Sequence, residues 1–228
     1  MTNGDFLYRL ATSKGISRMI TLIPGETTEM FFKQLADMYG YDRFRLVGAL
    51  QDENVSMRDG YLIPETYALP AGANEETLIK TLTHFARDYH HKHQGKLSDN
   101  GWKRIIIMAS IIQKEAANVD EVPLVASVII NRLNAGMPLQ MDGTLNYGLY
   151  SHQKVTPQRI RQDLSFYNTY KNKGLPPEPV CTVSDEAINA ALKPAKTNFL
   201  YFMKTKEGTH SFSNSYKSHL KVIDSVKK

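Results

Sequence analysis

A helical segment that is apolar on almost every side constrains the fold of this chain more than any other feature. The segment runs from Trp102 to Ala117, and its apolar residues are Ile105, Ile106, Ile107, Met108, Ala109, Ile111 and Ile112. A helix with so broad an apolar surface must be covered by other elements of the fold. The pattern therefore predicts a buried central helix that carries Glu115 near its C-terminal end.

Around this helix, the sequence predicts an α+β fold. Strands are predicted over residues 17–23, 198–203 and 209–213, and amphipathic or capped segments predict helices between them. Strands and helices do not alternate regularly, which favours the α+β class over a parallel α/β sheet. We also expect a short helix over 5–11 and a linker over 94–101.

The composition limits the kinds of partner that the chain can bind, but it does not identify one. The 228 residues have a net charge of +5, which suits nucleic acid, anionic lipid or an acidic polymer. The basic residues are scattered along the chain, which argues against a nucleic-acid-binding protein. No apolar run approaches the length of a membrane span, and we expect no signal peptide. Cys181 is the single cysteine, so no intrachain disulfide forms.

Glu115 is the strongest candidate for a catalytic residue. It lies three and four residues after Ile112 and Ile111, so its side chain continues the apolar stripe of the helix. Burial and the negative end of the helix dipole both disfavour the carboxylate and raise its pKa. A carboxyl that is partly protonated near neutral pH can act as a general acid. The spacing leaves a second interpretation open, in which Glu115 reaches solvent at the helix end beside Lys114.

A polar loop is the second candidate region. Residues 139–148 (LQMDGTLNYG) are rich in amide and hydroxyl groups and suit hydrogen bonds to a hydroxyl-rich ligand. Phe166, Tyr167 and Tyr170 add rings on which sugars could stack. A polar surface loop beside core aromatic residues explains the same pattern, and the sequence does not separate the two interpretations.

The histidines do not indicate a metal site. His90, His91 and His93 are not spaced for one helical face, and no acid or cysteine stands near them. We therefore predict no metal and no other cofactor. His210 and His219 could contact a substrate, although a structural role is the simpler interpretation.

Seven segments in chain order resemble those of one known family. They are ASIIQKEA (109–116), VASVIINRL (125–133), LQMDGTLNYG (139–148), YNTY (167–170), GLPPEPV (174–180), KPAKTNFLYF (193–202) and HSFSNSYKSH (210–219). Upstream, TLIPGET (21–27) and DGYLIPETY (59–67) agree with them. On these segments the chain resembles the YceG-like family, the membrane-anchored endolytic murein transglycosylases, over essentially its whole length.

The resemblance implies a reaction and its residues. The reaction is cleavage of the β-1,4 bond between N-acetylmuramic acid and N-acetylglucosamine within glycan strands, without water, to leave a 1,6-anhydro end. Glu115 matches the catalytic glutamate, which acts first as acid and then as base. The muramyl C6 hydroxyl takes the place of the second carboxylate of ordinary glycosidases. The residues expected to line a glycan groove are Gln140, Asp142, Thr144, Tyr147, Asn168 and Tyr170, with Asp142 binding or orienting.

Three positions depart from the pattern of the family. Gln113 stands where many members carry a second acid, which leaves Glu115 as the only acid of that motif. Gly143 replaces a common proline, and we expect it to loosen the loop. Glu178 stands where glycine is usual, and the sequence does not explain this change.

The resemblance also implies an organisation and a location. We expect a partial LysM-like α/β module over residues 1–45 and a YceG-like catalytic domain over 46–228. Members of the family carry an N-terminal membrane helix, so this chain is expected to begin inside the small module. The catalytic domain is expected in the cell envelope, on the outer face of the cytoplasmic membrane. The expected partners are peptidoglycan glycan strands and peptidoglycan synthases (penicillin-binding proteins), with no nucleic acid.

Two other functions compete with this interpretation. A non-catalytic murein-binding module would keep the amide and aromatic residues without needing a buried Glu115. A metal hydrolase would use the histidines of residues 90–93.

Overall fold

The computed structural model describes residues 17–227, and over this range it confirms the predicted α+β class. Eight α-helices and two antiparallel two-stranded sheets form this part of the chain. None of these helices is long and apolar enough to cross a membrane. The helix predicted over 5–11 lies outside the described residues, and the LysM-like character of the first module stays a prediction.

The first sheet joins two strands that are distant in the sequence. Strand β1 (Ser17–Thr21) pairs antiparallel with β2 (Thr66–Pro70). Ile20, Tyr67 and Leu69 turn into the core from this sheet. This pairing holds the start of the described chain next to a segment that lies about fifty residues later in the sequence. That separation is about the length of a small module.

Two helices lie between these strands, and the sequence predicts only the first. Helix α1 (Thr28–Tyr39) confirms the predicted helix and ends at Gly40, which adopts a left-handed conformation with φ of 75°. Helix α2 (Arg43–Asp52) lies in a segment, 41–60, that shows no clear period. Only Leu46 and Leu50 are buried on α2, so its apolar face is too sparse to recognise. The predicted boundary between residues 45 and 46 falls inside α2 and stays a prediction.

Helices α3 and α4 are joined by a tight connection. Helix α3 (Glu75–Gln94) is followed by α4 (Asp99–Glu115) after residues 95–98 alone. The linker predicted over 94–101 is therefore wrong, because Ser98 already caps α4. The buried His90 also ties the two helices, since its Nδ1 accepts a hydrogen bond from the indole N–H of Trp102 at 3.0 Å.

Helix α4 is the central helix that its sequence predicts. Its residues Ile106, Ile111 and Ile112 are completely buried. The helix is covered by α5 (Val122–Asn134) and α7 (Asp185–Leu192). The apolar surface is thereby removed from water on nearly every side, and the helix ends at Glu115.

The remaining elements build the surface around the end of α4. They are the short helix α6 (Pro157–Gln162), the hairpin of β3 (Tyr201–Lys204) and β4 (His210–Ser213), and helix α8 (Tyr216–Lys227). The hairpin confirms the two strands predicted near the C-terminus. The amide of Asn131 on α5 donates to the carbonyls of Thr197 and Phe199, both at 2.9 Å, and holds the chain that leads into β3.

Candidate active site

Glu115 lies where the buried helix α4 meets the loop that follows α5. The residue is half-buried, and its Oε1 accepts a hydrogen bond from the backbone N–H of Gly143 at 2.6 Å. Removal of the carboxyl from water raises the pKa of Glu115 to about 7; the Gly143 N–H lowers it in part, and the charge of Asp142 raises it further. Both the protonated and the ionised form are therefore populated at neutral pH, as a group that donates and accepts a proton requires.

Gly143 allows the loop backbone to approach Glu115 closely. A Cβ atom at this position would lie 2.6 Å from Cβ of Lys114 and 2.8 Å from Oε1 of Glu115. Any side chain would therefore force the loop away from the end of α4. The sequence predicts a looser loop, but the glycine instead permits close contact and supplies an N–H that proline lacks.

Three further side chains extend the polar surface beside Glu115. The hydroxyl of Tyr170 donates to Oδ1 of the exposed Asp142 at 2.7 Å. Burial and this acceptor raise the pKa of Tyr170, so its hydroxyl remains a donor. Gln140 is exposed and has a left-handed backbone with φ of 52°. We call Glu115, Gln140, Asp142 and Tyr170 the Glu115 surface.

Two residues predicted to line the groove are instead buried beneath it. Thr144 is 0% exposed, and its hydroxyl donates to the carbonyl of Met141 at 2.8 Å and lies 3.0 Å from Oγ1 of Thr169. Asn168 is also 0% exposed, and its amide donates to the carbonyls of Ile160 in α6 and of Asp163 just after it, at 2.8 and 2.9 Å. As placed here, Thr144 and Asn168 hold the shape of the loop and do not reach its surface.

The hydroxyl of Tyr147 is likewise used within the loop. It donates to Oδ2 of Asp163 at 2.9 Å, and the ring stacks on Tyr167 with centroids 4.5 Å apart. An edge of this ring pair stays accessible because both residues are only partly buried. Phe166 precedes Tyr167 in the sequence and is 74% exposed.

The structure explains two of the departures from the family pattern. The side-chain oxygen of Gln113 accepts the backbone N–H of Ser184 at 3.0 Å, at the start of α7, so an amide at this position supports packing. Glu178 accepts from the ammonium of Lys103 and from the backbone N–H of Arg58. Neither side chain contacts Glu115 through a hydrogen bond.

Three more residues border the Glu115 surface; sequence reasoning missed Arg132 and Tyr201 and named only His219 as a possible substrate contact. Arg132, Tyr201 and His219 lie together, with the Arg132 guanidinium 5.1 Å from the ring of Tyr201 and the His219 ring stacked on that tyrosine. Arg132 and Tyr201 stand inside recognised segments, but the sequence assigns neither a role. One available signal is the arginine itself, a charge within the otherwise apolar run of α5.

The sequence of this chain matches a known protein family and several curated relatives. A family model described as the YceG-like family matches residues 1–225. An endolytic murein transglycosylase of Bacillus subtilis (strain 168) is 29% identical over 233 residues, which is 91% of this chain and 65% of that relative. An endolytic murein transglycosylase of Streptococcus pneumoniae (strain D39) is 30% identical over 175 residues, or 71% of this chain and 31% of that relative.

The fold is also that of a solved structure. A crystal structure of a YceG-like protein from Listeria monocytogenes superimposes with a TM-score of 0.77 and 25% identity. The match covers 97% of this chain and 81% of that one. The chain spans less than two thirds of the length of the curated relatives from Bacillus and Streptococcus.

Proposed function

The chain belongs to the YceG-like family, and on this premise we propose that it is a lytic transglycosylase that cleaves peptidoglycan. The observation that carries the proposal is the half-buried carboxyl of Glu115, whose pKa is raised to about 7 beside an exposed polar surface. The names of the Bacillus and Streptococcus relatives support the same activity.

In the proposed reaction, Glu115 transfers a proton twice. Its protonated carboxyl first donates to the glycosidic oxygen, and the bond between that oxygen and C1 of N-acetylmuramic acid breaks. The C6 hydroxyl of the same sugar then bonds to C1 and gives its proton to the Glu115 carboxylate. The products are a strand with a new N-acetylglucosamine hydroxyl and a strand with a 1,6-anhydro end. Atoms balance without water, and Glu115 returns to its protonated form.

The neighbours of Glu115 suit the two halves of this cycle. Desolvation favours the protonated acid needed for the first step. The N–H of Gly143 stabilises the carboxylate produced by that step and fixes the direction of Oε1. Asp142 accepts the hydroxyl of Tyr170, which supports an orienting role for Asp142 rather than a second catalytic one.

The place where the enzyme acts and the substrate on which it acts are also part of the proposed function. We infer that it cleaves within strands, that nascent glycan is its substrate, and that it works on the outer face of the cytoplasmic membrane. Peptidoglycan synthases are the proposed protein partners. The exposed side chains of Gln140 and Asp142 beside Glu115 are accessible to a polymeric substrate.

A digest of uncrosslinked glycan strands tests the reaction. We expect wild type to release muropeptides lighter by one water than hydrolysis products, and Glu115→Gln to release them about 1,000-fold more slowly. Products of full hydrolytic mass would make the protein a hydrolase and direct attention to Asp142. Binding of the strands without cleavage by folded wild type would favour a non-catalytic murein-binding module.

A further inference from the structure

Arg132 is a buried charge with no acidic partner in the part of the chain that the structure describes. The residue is 7% exposed. Its Nε donates to the carbonyl of Leu200 at 2.6 Å, and its Nη1 donates to those of Pro138 and Leu139 at 3.1 and 2.7 Å. Neutral carbonyls thus bind two of the three nitrogens, while Nη2 has no hydrogen-bond partner within residues 17–227. Nη2 therefore keeps contact with solvent, where an anion from outside can reach it and compensate the charge of Arg132.

Two more polar groups without partners lie beside Arg132. His219 stacks on the ring of Tyr201 with centroids 5.1 Å apart, and its Nδ1 is buried without a hydrogen bond. This nitrogen is the one buried side-chain polar atom of the described residues that lacks a partner. The hydroxyl of Tyr201 also has no hydrogen bond within that range. Because buried polar groups are almost always bonded, an unpaired nitrogen here indicates a group that arrives from outside.

This cluster continues the Glu115 surface. Nη1 of Arg132 lies 3.4 Å from Oε1 of Gln140, and the charge of Arg132 acts on the hydroxyl of Tyr170. The Tyr170 hydroxyl in turn donates to Asp142. Asp142 precedes Gly143, whose N–H donates to Glu115. A glycan strand bound at Glu115 would therefore bring the groups next to its cleaved bond close to Arg132.

We propose that Arg132, Tyr201 and His219, the Arg132 cluster, bind a carboxylate of the substrate next to the bond that Glu115 cleaves. The inference rests on the proposed function, since it takes peptidoglycan as the substrate. A guanidinium, a hydroxyl and an imidazole nitrogen can together donate to both oxygens of a carboxylate. A neutral sugar would leave the charge of Arg132 uncompensated.

The carboxylate has two chemical sources in peptidoglycan. One is the peptide attached to muramic acid, and the other is the lactyl group of muramic acid once that peptide is removed. Three preparations of one strand pool separate them. These are uncrosslinked strands with their peptides, the same strands with every carboxyl converted to a primary amide, and strands freed of peptide by an amidase.

The test compares kcat/KM on the three preparations for wild type, Tyr201→Phe and His219→Phe. We expect wild type to cleave one carboxylate-bearing preparation about tenfold faster than the amidated strands, as one or two charge-assisted hydrogen bonds would give. Both variants should lose this preference and keep their rate on amidated strands. A preference for peptide-bearing strands identifies the peptide as the source, and a preference for peptide-free strands identifies the lactyl group.

Tyr216→Phe is the matched control, because Tyr216 also lies next to Tyr201 but is 60% exposed. It should retain the wild-type preference. The proposal is overturned if wild type cleaves amidated strands as fast as both others, or if the variants lose activity equally on all three. These variants avoid Arg132→Ala, which would also remove the hydrogen bonds that support the loop.

The same experiment separates this inference from the proposed function. If wild type forms no anhydro products from any preparation, the proposed function fails. The binding of the three preparations to Glu115→Gln and to its double variant with Tyr201→Phe then tests the Arg132 cluster alone. A preference for carboxylates that disappears in the double variant supports the cluster, and equal binding of all preparations overturns it.

Discussion

Glu115 and Glu121 are buried to different degrees at the same end of α4, and their carboxyls behave in opposite ways. Only 6% of the Glu121 surface is exposed. Although burial alone would raise the pKa of Glu121, hydrogen bonds from His210 and from the N–H of Ala117 lower it. Glu115 stays partly exposed to solvent, and its carboxyl accepts a hydrogen bond from the N–H of Gly143. The pKa of Glu115 is raised to about 7.

The difference shows that burial sets the pKa of Glu115, whereas hydrogen-bond partners outweigh burial at Glu121. His210 donates to Glu121 from its backbone N–H at 2.7 Å, and its Nδ1 lies 2.6 Å from Oε2. This pair joins the hairpin to the segment after α4 and holds the carboxylate ionised. Within residues 17–227, Glu115 has no cation within hydrogen-bonding distance, so it can be protonated near pH 7 and exchange that proton with a substrate.

Substitution of each glutamate by glutamine should separate catalysis from structure. Glu115→Gln removes the proton donor, and we expect the rate of anhydro-product formation to fall about 1,000-fold. Glu121→Gln should change this rate less than about threefold, after correction for the folded fraction. Product formation followed by mass spectrometry makes the measurement. Equal losses in the two variants would contradict the contrast.

The stability of the fold should respond most to Glu121. Glu121→Gln removes one member of a buried pair, and we expect the free energy of unfolding at pH 7 to fall by about 3 kcal/mol. Because the folded pKa of Glu121 is lowered, its contribution is present above the ordinary pKa of glutamate and is lost as pH falls through the lowered value. Urea unfolding at pH 7 and pH 4 should therefore show a smaller difference at pH 4. Glu76→Gln, in an exposed pair with Lys80, is the control and should change stability little.

Gly143→Ala tests the contact that sets Glu115 apart. The new Cβ would meet Lys114 and Glu115 at distances that require the loop to move. We expect kcat/KM to fall between about 10-fold and 100-fold, as for a displacement of about 1 Å at a catalytic group. Gly48→Ala has open space around its Cβ and should retain activity. Full activity of Gly143→Ala would show that the close approach is dispensable.

Glu115→Gln should also stabilise the protein at high pH, in contrast to Glu121→Gln. The folded pKa of Glu115 lies above its unfolded value, so folding is penalised where the side chain must ionise. The penalty is full above about pH 7 and disappears below the unfolded pKa. We expect a gain on the order of 1–3 kcal/mol at pH 8 and none at pH 4, measured by urea unfolding. Destabilisation at pH 8 would contradict the raised pKa.

The smallest expected effect is that of Asp142→Asn on the pH profile. Because the charge of Asp142 raises the pKa of Glu115, its removal should move the alkaline limb of kcat/KM to lower pH by less than about one unit. Activity at pH 6 should fall only a few-fold. An Asp142→Asn protein that folds and binds glycan but is as inactive as Glu115→Gln would instead make Asp142 a second catalytic carboxyl.

The sequence determined the elements with strong local signals. The broad apolar surface predicts α4 and its burial, and the caps at Asn74 and Ser184 fix two helix starts. The start of α4 at Ser98 is not predicted, because that residue lies in the polar segment expected to be a linker. The hairpin of β3 and β4 follows from its strand residues and turn. Helix α2 escapes prediction because two buried leucines give too weak a period. The order of the recognised segments, rather than any local pattern, indicates the family.

The tertiary structure decided which of the polar residues face outward. Thr144 and Asn168 look like ligand-binding residues in the sequence, yet backbone carbonyls of the loop and of α6 accept their hydrogen bonds. Arg132 looks like part of an apolar helix, yet its Nη1 donates to Oε1 of Gln140 on the Glu115 surface. The physical reason is that a hydrogen-bonding group is satisfied by whatever lies nearest in space. Sequence specifies the residue type and the local backbone, whereas long-range packing specifies the partner, as Gly143 against Glu115 illustrates.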